Sequence, residues 1–171
     1  YELRESIAKH ATVHDKPEQR PDFPGVSPPL EGQVVEAADR IAYDSHDLDD
    51  GLAMHLLSAE ELASLDMFRQ AETDFAWDLV NLTLDQKVRR VVKLLIEMMV
   101  RDVLMVTERE IRDAGIRSVD DVRAAPRRLV HFSQGLERKV MQVEGYLMDR
   151  VYRNHRVMRM TTKAQRFLKQ M

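Results

Sequence analysis

From residue 30 onward the apolar residues fall at helical spacings. Over 31–46 every residue except Gly32 is a good or tolerable helix former, and Val34, Val35, Ala38, Ile41 and Ala42 recur at three- and four-residue steps. The spacing predicts a helix over 30–52. Next, Ser58-Ala-Glu-Glu61 reads as a capping box opening a short helix, with Leu62, Leu65, Phe68 and Trp77 as apolar contacts; Trp77, an isolated aromatic, is expected in the core. Thr83-Leu-Asp-Gln86 is a second box, opening the longest helix, 84 to about 112. There Leu84, Val88, Val91, Leu95 and Met98 form one seam, and Leu94, Val100 and Leu104 widen it until the helix is apolar nearly all round. Such a helix is central to a fold or lies in an oligomer contact. Gly115 closes it, Ser118-Val-Asp-Asp121 caps a short helix, and Pro126 ends that one. From Ser133, the residues Leu136, Val140, Val143, Leu147 and Val151 predict a second long core helix to about residue 154. Met98, Met99, Met105, Met141 and Met148 read as adaptable core filling on these helices.

Before residue 30 the pattern differs. Residues 1–12 read as the end of a helix, with Leu3 and Ile7 four apart, and 16–29 holds five of the six prolines, so it must be an extended loop, with Phe23 able to anchor it on the core. With few Gly, Pro and Tyr and abundant Leu, Arg, Met, Glu and Ala, the fold class is all-α, and 171 residues suit one domain with a real core.

Composition narrows the function. There is no Cys, which excludes disulfides, thiolate metal sites and thiol nucleophiles. The most apolar segment, 91–106, is interrupted by Lys93, Glu97, Arg101 and Asp102, so no membrane span is expected. The first five residues form no secretory core and there is no initiating Met, so a cytoplasmic location and a start inside a larger chain are the expectations. The net charge of −3 conceals a polarity: 31–78 holds thirteen Asp or Glu against Arg40 and Arg69, whereas 150–171 holds seven Lys or Arg and no acid. An acidic region beside a basic tail suits a metal that must meet a polyphosphate.

On the helix of 30–52, Asp39, Tyr43 and Asp47 stand at i, i+4 and i+8, so an acid, a phenol and a second acid share one stripe. A solvated helix face is the competing reading. The run Leu-Glu-x-Gln-Val-x-x-x-Ala-Asp-x-Ile-Ala-Tyr-x-x-His-Asp-Leu-Asp-Asp-Gly over 30–51 resembles the deoxyguanosinetriphosphate triphosphohydrolase-like proteins of the HD superfamily. Leu3-Arg4-Glu5-Ser6-Ile7-Ala8-Lys9-His10 is similar to a further family segment, with Ser6 at the usual Gly, and Val151-Tyr152-x-x-His155-Arg156-Val157-x-Arg159-Met160-x-x-Lys163-Ala164 looks like its C-terminal signature. The resemblance implies that Asp39 is the last metal ligand of an H…HD…D set, that Tyr43 contacts phosphate, and that Asp47 contacts the sugar hydroxyl. It implies a divalent cation, magnesium or manganese, and attack at the α-phosphorus of a deoxynucleoside triphosphate, releasing nucleoside and triphosphate. The upstream His and His-Asp pair of that set are not here, since by the resemblance His14-Asp15 lies in a Pro-rich loop after the family's helix and His46-Asp47 is already placed, so no complete catalytic set is expected; the missing N-terminal half of the same protein would supply it. Residues 1–57 would then end an HD-type domain, with 58–171 a helical HD-associated region.

Arg150, Arg153, Arg156, Arg159, Lys163 and Arg166 are spaced 3, 3, 3, 4 and 3, so a continuous helix would array six cations along one side. The family signature singles out Arg156, Arg159 and Lys163 for phosphate or polyanion contact. The reading from another class is a non-catalytic helical regulatory or oligomerisation module that binds nucleotide or single-stranded DNA through that tail; a homo-oligomer is expected under either reading. Asp39 is expected to face a polar cleft rather than bulk solvent.

Overall fold

The computed structural model describes residues 1–10, 23 and 27–170; helix accounts for 77% of these described residues, and no strand occurs among them. The all-α expectation holds. In order come α1 (Glu2–Ala8), α2 (Leu30–Ala53), α3 (Ala59–Ala63), α4 (Asp66–Asp74), a 3-10 turn (Ala76–Leu79), α5 (Leu84–Asp113), α6 (Val119–Ala124), α7 (Gln134–Leu147), a π-helical turn (Met148–Tyr152) and α8 (His155–Gln170). They form two compact units, Tyr1–Tyr43 with Glu97–Leu136, and Asp44–Ile96 with Glu137–Met171.

In the first unit, α1 is fixed by its one buried acid. Glu5 is fully buried; Lys9 Nζ lies 2.7 Å from its Oε1, and Arg123 Nη2, reaching from α6, lies 2.6 Å from its Oε2. Burial pushes the Glu5 carboxyl up, but the hydrogen bonds and charges of Arg123 and Lys9 outweigh it and hold the pKa below the usual carboxylate value. Gly32 permits close packing of α1 and α2, since a Cβ there would sit 2.9 Å from Ser6 Oγ and 3.1 Å from Pro28 Cβ.

Next along α2, Gln33 is buried. Its Nε2 donates to Pro28 O at 3.0 Å, and its Oε1 accepts from the backbone N–H groups of Leu129 at 2.8 Å and Val130 at 3.2 Å. One and two turns on, Glu36 pairs with Arg128, and the Arg40 guanidinium lies 5.3 Å from the centroid of the Phe132 ring. The helix predicted over 30–52 is therefore present, but its buried side mixes polar and apolar residues: Gln33, Asp44 and Ser45 are buried beside Ile41 and Leu48, while Val34 and Val35 are exposed. Most of the expected proline loop lies outside the described residues; Phe23 is buried, with its ring centroid 5.5 Å from that of Tyr1.

The second unit has a conventional apolar interior. Leu48 of α2, Leu62 of α3, Met67 and Phe68 of α4, Val91, Val92 and Leu95 of α5, and Val140, Val143 and Leu147 of α7 are all buried, each contributing about 1.5–3 kcal/mol on transfer from water. The reciprocal Thr83–Gln86 box opens α5, with Thr83 N–H donating to Gln86 Oε1 at 3.0 Å. The Ser118–Asp121 box also forms, in the first unit, and Gly115 takes φ +64 just beyond α5.

Four expectations are corrected. Trp77 is 75% exposed, because in the short 3-10 turn it is Leu79 that faces inward. Of the five methionines only Met99 is buried, and Met105 and Met141 are exposed, since α5 and α7 bury one side and not their whole circumference. The Ser58 box is half formed: Ser58 Oγ accepts from Glu61 N–H, but the Glu61 side chain accepts instead from the Tyr146 hydroxyl at 2.8 Å and pairs with Arg150. Finally, α7 ends at Leu147 and passes into the π turn, closed by Arg153 N–H donating to Met148 O at 3.0 Å, so no single helix carries Arg150 to Arg166.

Gln33→Leu keeps the volume and removes the acceptor that two backbone N–H groups share. With each of the two orphaned N–H groups costing about 1–3 kcal/mol, the variant should lose about 2–6 kcal/mol in urea unfolding followed by circular dichroism.

Candidate functional site

Gln33, Glu36 and Arg40 meet the 128–132 segment, and the positions three residues on from Glu36 and Arg40 lie at the solvent edge of that same side. Asp39 and Tyr43 are there: the Asp39 carboxylate is 59% exposed and Tyr43 is 47% exposed. Exposure places Asp39 at a surface, not in a cleft, among the described residues. His10, just past the end of α1, brings its Nε2 to 4.0 Å from Asp39 Oδ2. In the sequence His10 ends a family-like segment without a role of its own; the contact depends on where the Glu5 and Gln33 anchors put α1 and α2, which spacing cannot reveal.

Asp47, two turns beyond Asp39 on the same helix, has a different setting. It is half-buried in the second unit, and the Tyr152 hydroxyl donates to its Oδ2. Burial, and then the charge of nearby Asp50, push its carboxyl above the usual value, with His46 pulling the other way. Tyr152 closes the π turn; it stands in the C-terminal signature, where sequence alone names no partner for it. Tyr146, earlier in the chain on α7, has its phenol pushed up to about 12 by burial and by donation to Glu61.

A divalent cation needs several oxygen or imidazole donors converging on one point. Asp39 and His10 offer two groups, and no cluster of three or more His, Asp or Glu that could hold a metal occurs among the described residues. The described residues therefore do not make a complete metal site.

The tail cations behave in two groups. Arg150 pairs with Glu61, and Arg153 with Asp149 at 2.7 Å, so both are engaged before α8 begins. Asn154 then caps α8, its Oδ1 accepting from Arg156 N–H at 3.0 Å. Arg156, Arg159 and Lys163 stand exposed on α8, which also exposes Met158, Met160, Phe167 and Leu168, so the expected six-cation stripe shortens to Arg156, Arg159, Lys163 and Arg166. No helix of the described residues is long and apolar enough to cross a membrane.

These features define a protein that is all-helical among the described residues and whose α2 exposes acids and a phenol. No family model matches the chain. Individual relatives do. A deoxyguanosinetriphosphate triphosphohydrolase-like protein of Geobacter sulfurreducens is 34% identical over 178 residues, covering 100% of this chain and 45% of the relative. A protein of the same name from Azoarcus sp. is 35% identical over 98% of the chain and 45% of the relative, and one from Bordetella pertussis is 32% identical over 100% of the chain, again 45% of the relative. Across its length the chain is homologous to the C-terminal part of deoxyguanosinetriphosphate triphosphohydrolase-like proteins, and it spans less than half the length of these curated relatives.

A carboxyl whose pKa is raised on folding opposes folding when ionised, so stability falls as pH climbs from the ordinary carboxylate value to the raised one. Asp47→Asn, which retains an acceptor for Tyr152, should melt above the wild type at pH 7. The difference should vanish as pH drops below the carboxylate range, which a series of thermal melts reads directly.

Proposed function

We propose that this chain is the C-terminal part of a metal-dependent deoxynucleoside triphosphate triphosphohydrolase, an enzyme converting a deoxynucleoside triphosphate and water to deoxynucleoside and triphosphate. The observation that carries the reading is α2 itself. One unbroken helix bears the Ala-Asp, Tyr and Asp of the family-like run, with Asp39 and Tyr43 outward, in a chain homologous throughout to proteins of that name. Asp39 would supply one metal ligand; the remaining His, His and Asp would come from the upstream half that the relatives possess. Residues 1–57 would close the HD-type domain and 58–171 form the helical region associated with it. The exposed Val35, one turn before Asp39 on the same side of α2, belongs to the surface such a half would cover.

The chain's own groups have clear tasks in this reaction. Tyr43 donates from its hydroxyl to a phosphate oxygen, and the Asp47 carboxylate accepts from the sugar hydroxyl, together orienting the triphosphate for attack. The bound divalent cation, magnesium or manganese, would make the attacking water a better nucleophile. Such an enzyme works on the cytoplasmic nucleotide pool.

In the complete protein, Asp39→Ala should abolish manganese-dependent release of triphosphate while leaving helicity unchanged; retained activity would remove Asp39 from the ligand set. In the present chain alone the same change should alter neither helicity nor melting temperature appreciably.

A second reading, a helical module that binds nucleotide or single-stranded DNA, is favoured by α8, where Arg156, Arg159 and Lys163 stand exposed with no acid anywhere on the helix. Charge reversal at Arg156 and Arg159 should weaken binding of single-stranded DNA, and wild-type affinity should fall steeply with salt, as phosphate contacts release counterions. Salt-independent affinity, or affinity unmoved by the reversal, would return α8 to an ordinary solvated face.

A further inference from the structure

We infer that Tyr152 is the positioning residue for Asp47, fixing the carboxylate that receives the sugar hydroxyl. The assignment rests on the triphosphohydrolase reading and deepens it, because that reading gives Asp47 a ligand and gives Tyr152 nothing.

Three features of the second unit converge on this pair. First, the hydroxyl of Tyr152 donates to Asp47 Oδ2, and among the described residues no second donor reaches the carboxylate. One oxygen is thereby held while the other keeps its lone pairs for an incoming hydroxyl. An aspartate on a helix has two soft side-chain torsions, and a ligand that had to freeze them would lose affinity; a protein donor that fixes them beforehand removes that cost.

Second, Tyr152 is delivered by an unusual piece of backbone. Had α7 continued as α-helix, each residue after Leu147 would have advanced by the normal turn. Instead Met148–Tyr152 is π-helical, closed by the five-residue bond from Arg153 N–H to Met148 O at 3.0 Å, with Asn154 N–H donating to Val151 O at 3.1 Å. A π turn inserts about one extra residue into the helical repeat and re-aims the side chains beyond it, and such turns gather at functional sites. Here the residue at its end is the one that reaches Asp47.

Third, α2 is notched to receive it. Gly51, one turn beyond Asp47, lies where a Cβ would come within 2.6 Å of Leu57 Cγ and 3.3 Å of Val151 Cγ2. Gly51 O also accepts from Leu56 N–H at 2.9 Å and Leu57 N–H at 3.2 Å. The missing side chain lets Val151, the neighbour of Tyr152 in the chain, approach the helix that carries Asp47. Hydroxyl, turn and notch serve one contact.

A merely structural tie between α2 and the π turn would also use these features, so the test must read the ligand hydroxyl. Steady-state kinetics on the complete protein with manganese would compare wild type, Tyr152→Phe, Asp47→Asn and the double variant. Each would be assayed on the four deoxynucleoside triphosphates and on their 2′,3′-dideoxy counterparts. Tyr152→Phe should lower kcat/KM on the accepted deoxynucleotide about tenfold, leave the dideoxy counterpart unchanged, and add nothing to Asp47→Asn, as expected when one residue acts through the other. Equal losses on both substrates, additive losses in the double variant, or no loss would each overturn the positioning role. A wild type that hydrolyses none of the four overturns the triphosphohydrolase reading and the role with it. A wild type that is active while Tyr152→Phe behaves identically overturns the role alone.

Discussion

The carboxamide of Gln33 satisfies three backbone groups at once, donating to Pro28 O and accepting from the N–H groups of Leu129 and Val130. No apolar side chain could substitute, because two buried N–H groups with no helix or sheet partner must find an acceptor or bear the full cost of desolvation. The rotation of α2 about its own axis is set by this amide. With Gln33 facing the 128–132 segment, Glu36 meets Arg128 and Arg40 lies over Phe132, and each helical turn adds a further tie on the same side. Asp39 and Tyr43, three residues on from Glu36 and Arg40, stay exposed at the edge of that side.

Glu5 does for α1 what Gln33 does for α2, with charge instead of dipole. A lone buried carboxylate would cost several kcal/mol, and here Lys9 and Arg123 offset that cost so far that the group remains more acidic than usual. The stability that this ion cluster supplies is therefore present above the ordinary carboxylate range and drains away as pH falls through the depressed value. Because His10 comes directly after α1, the same cluster also governs how near the imidazole comes to Asp39, at 4.0 Å in this structure.

Helix positions are readable from the chain wherever one side buries aliphatic residues: Val88, Val91 and Leu95 on α5, and Leu136, Val140, Val143 and Leu147 on α7, are buried as their spacing requires. Local chemistry is equally readable at Thr83–Gln86, Ser118–Asp121 and Gly115, where a cap or a positive φ involves only neighbours in sequence. Burial decided by distant partners is hidden from such a reading. Gln33, Asp44 and Ser45 are buried polar residues while Val34 and Val35 are exposed, so hydrophobicity names the helix and misnames its inner face. Glu61 is a correct signal for a capping box, drawn off by Tyr146 and Arg150, which lie 85 and 89 residues further along. The stripe divides the same way: Asp39, Tyr43 and Asp47 are legible from their spacing, whereas the approach of His10 to Asp39 and the bond from Tyr152 to Asp47, each within its own unit, arise only through the fold.

The end of α2 sets local preference against stability. Asp47, Asp49 and Asp50 crowd its last turns, and the final turn holds no base to meet the partial negative charge of the helix terminus, the reverse of the arrangement that the helix dipole favours. An Arg or Lys beside Asp47 would relieve that strain, and it would also neutralise the carboxylate as an acceptor by occupying it with two or three strong donors. A tyrosine hydroxyl gives a single uncharged donor. It steadies one oxygen, leaves the net negative charge in place, and leaves the lone pairs of the other oxygen able to accept from a neutral donor.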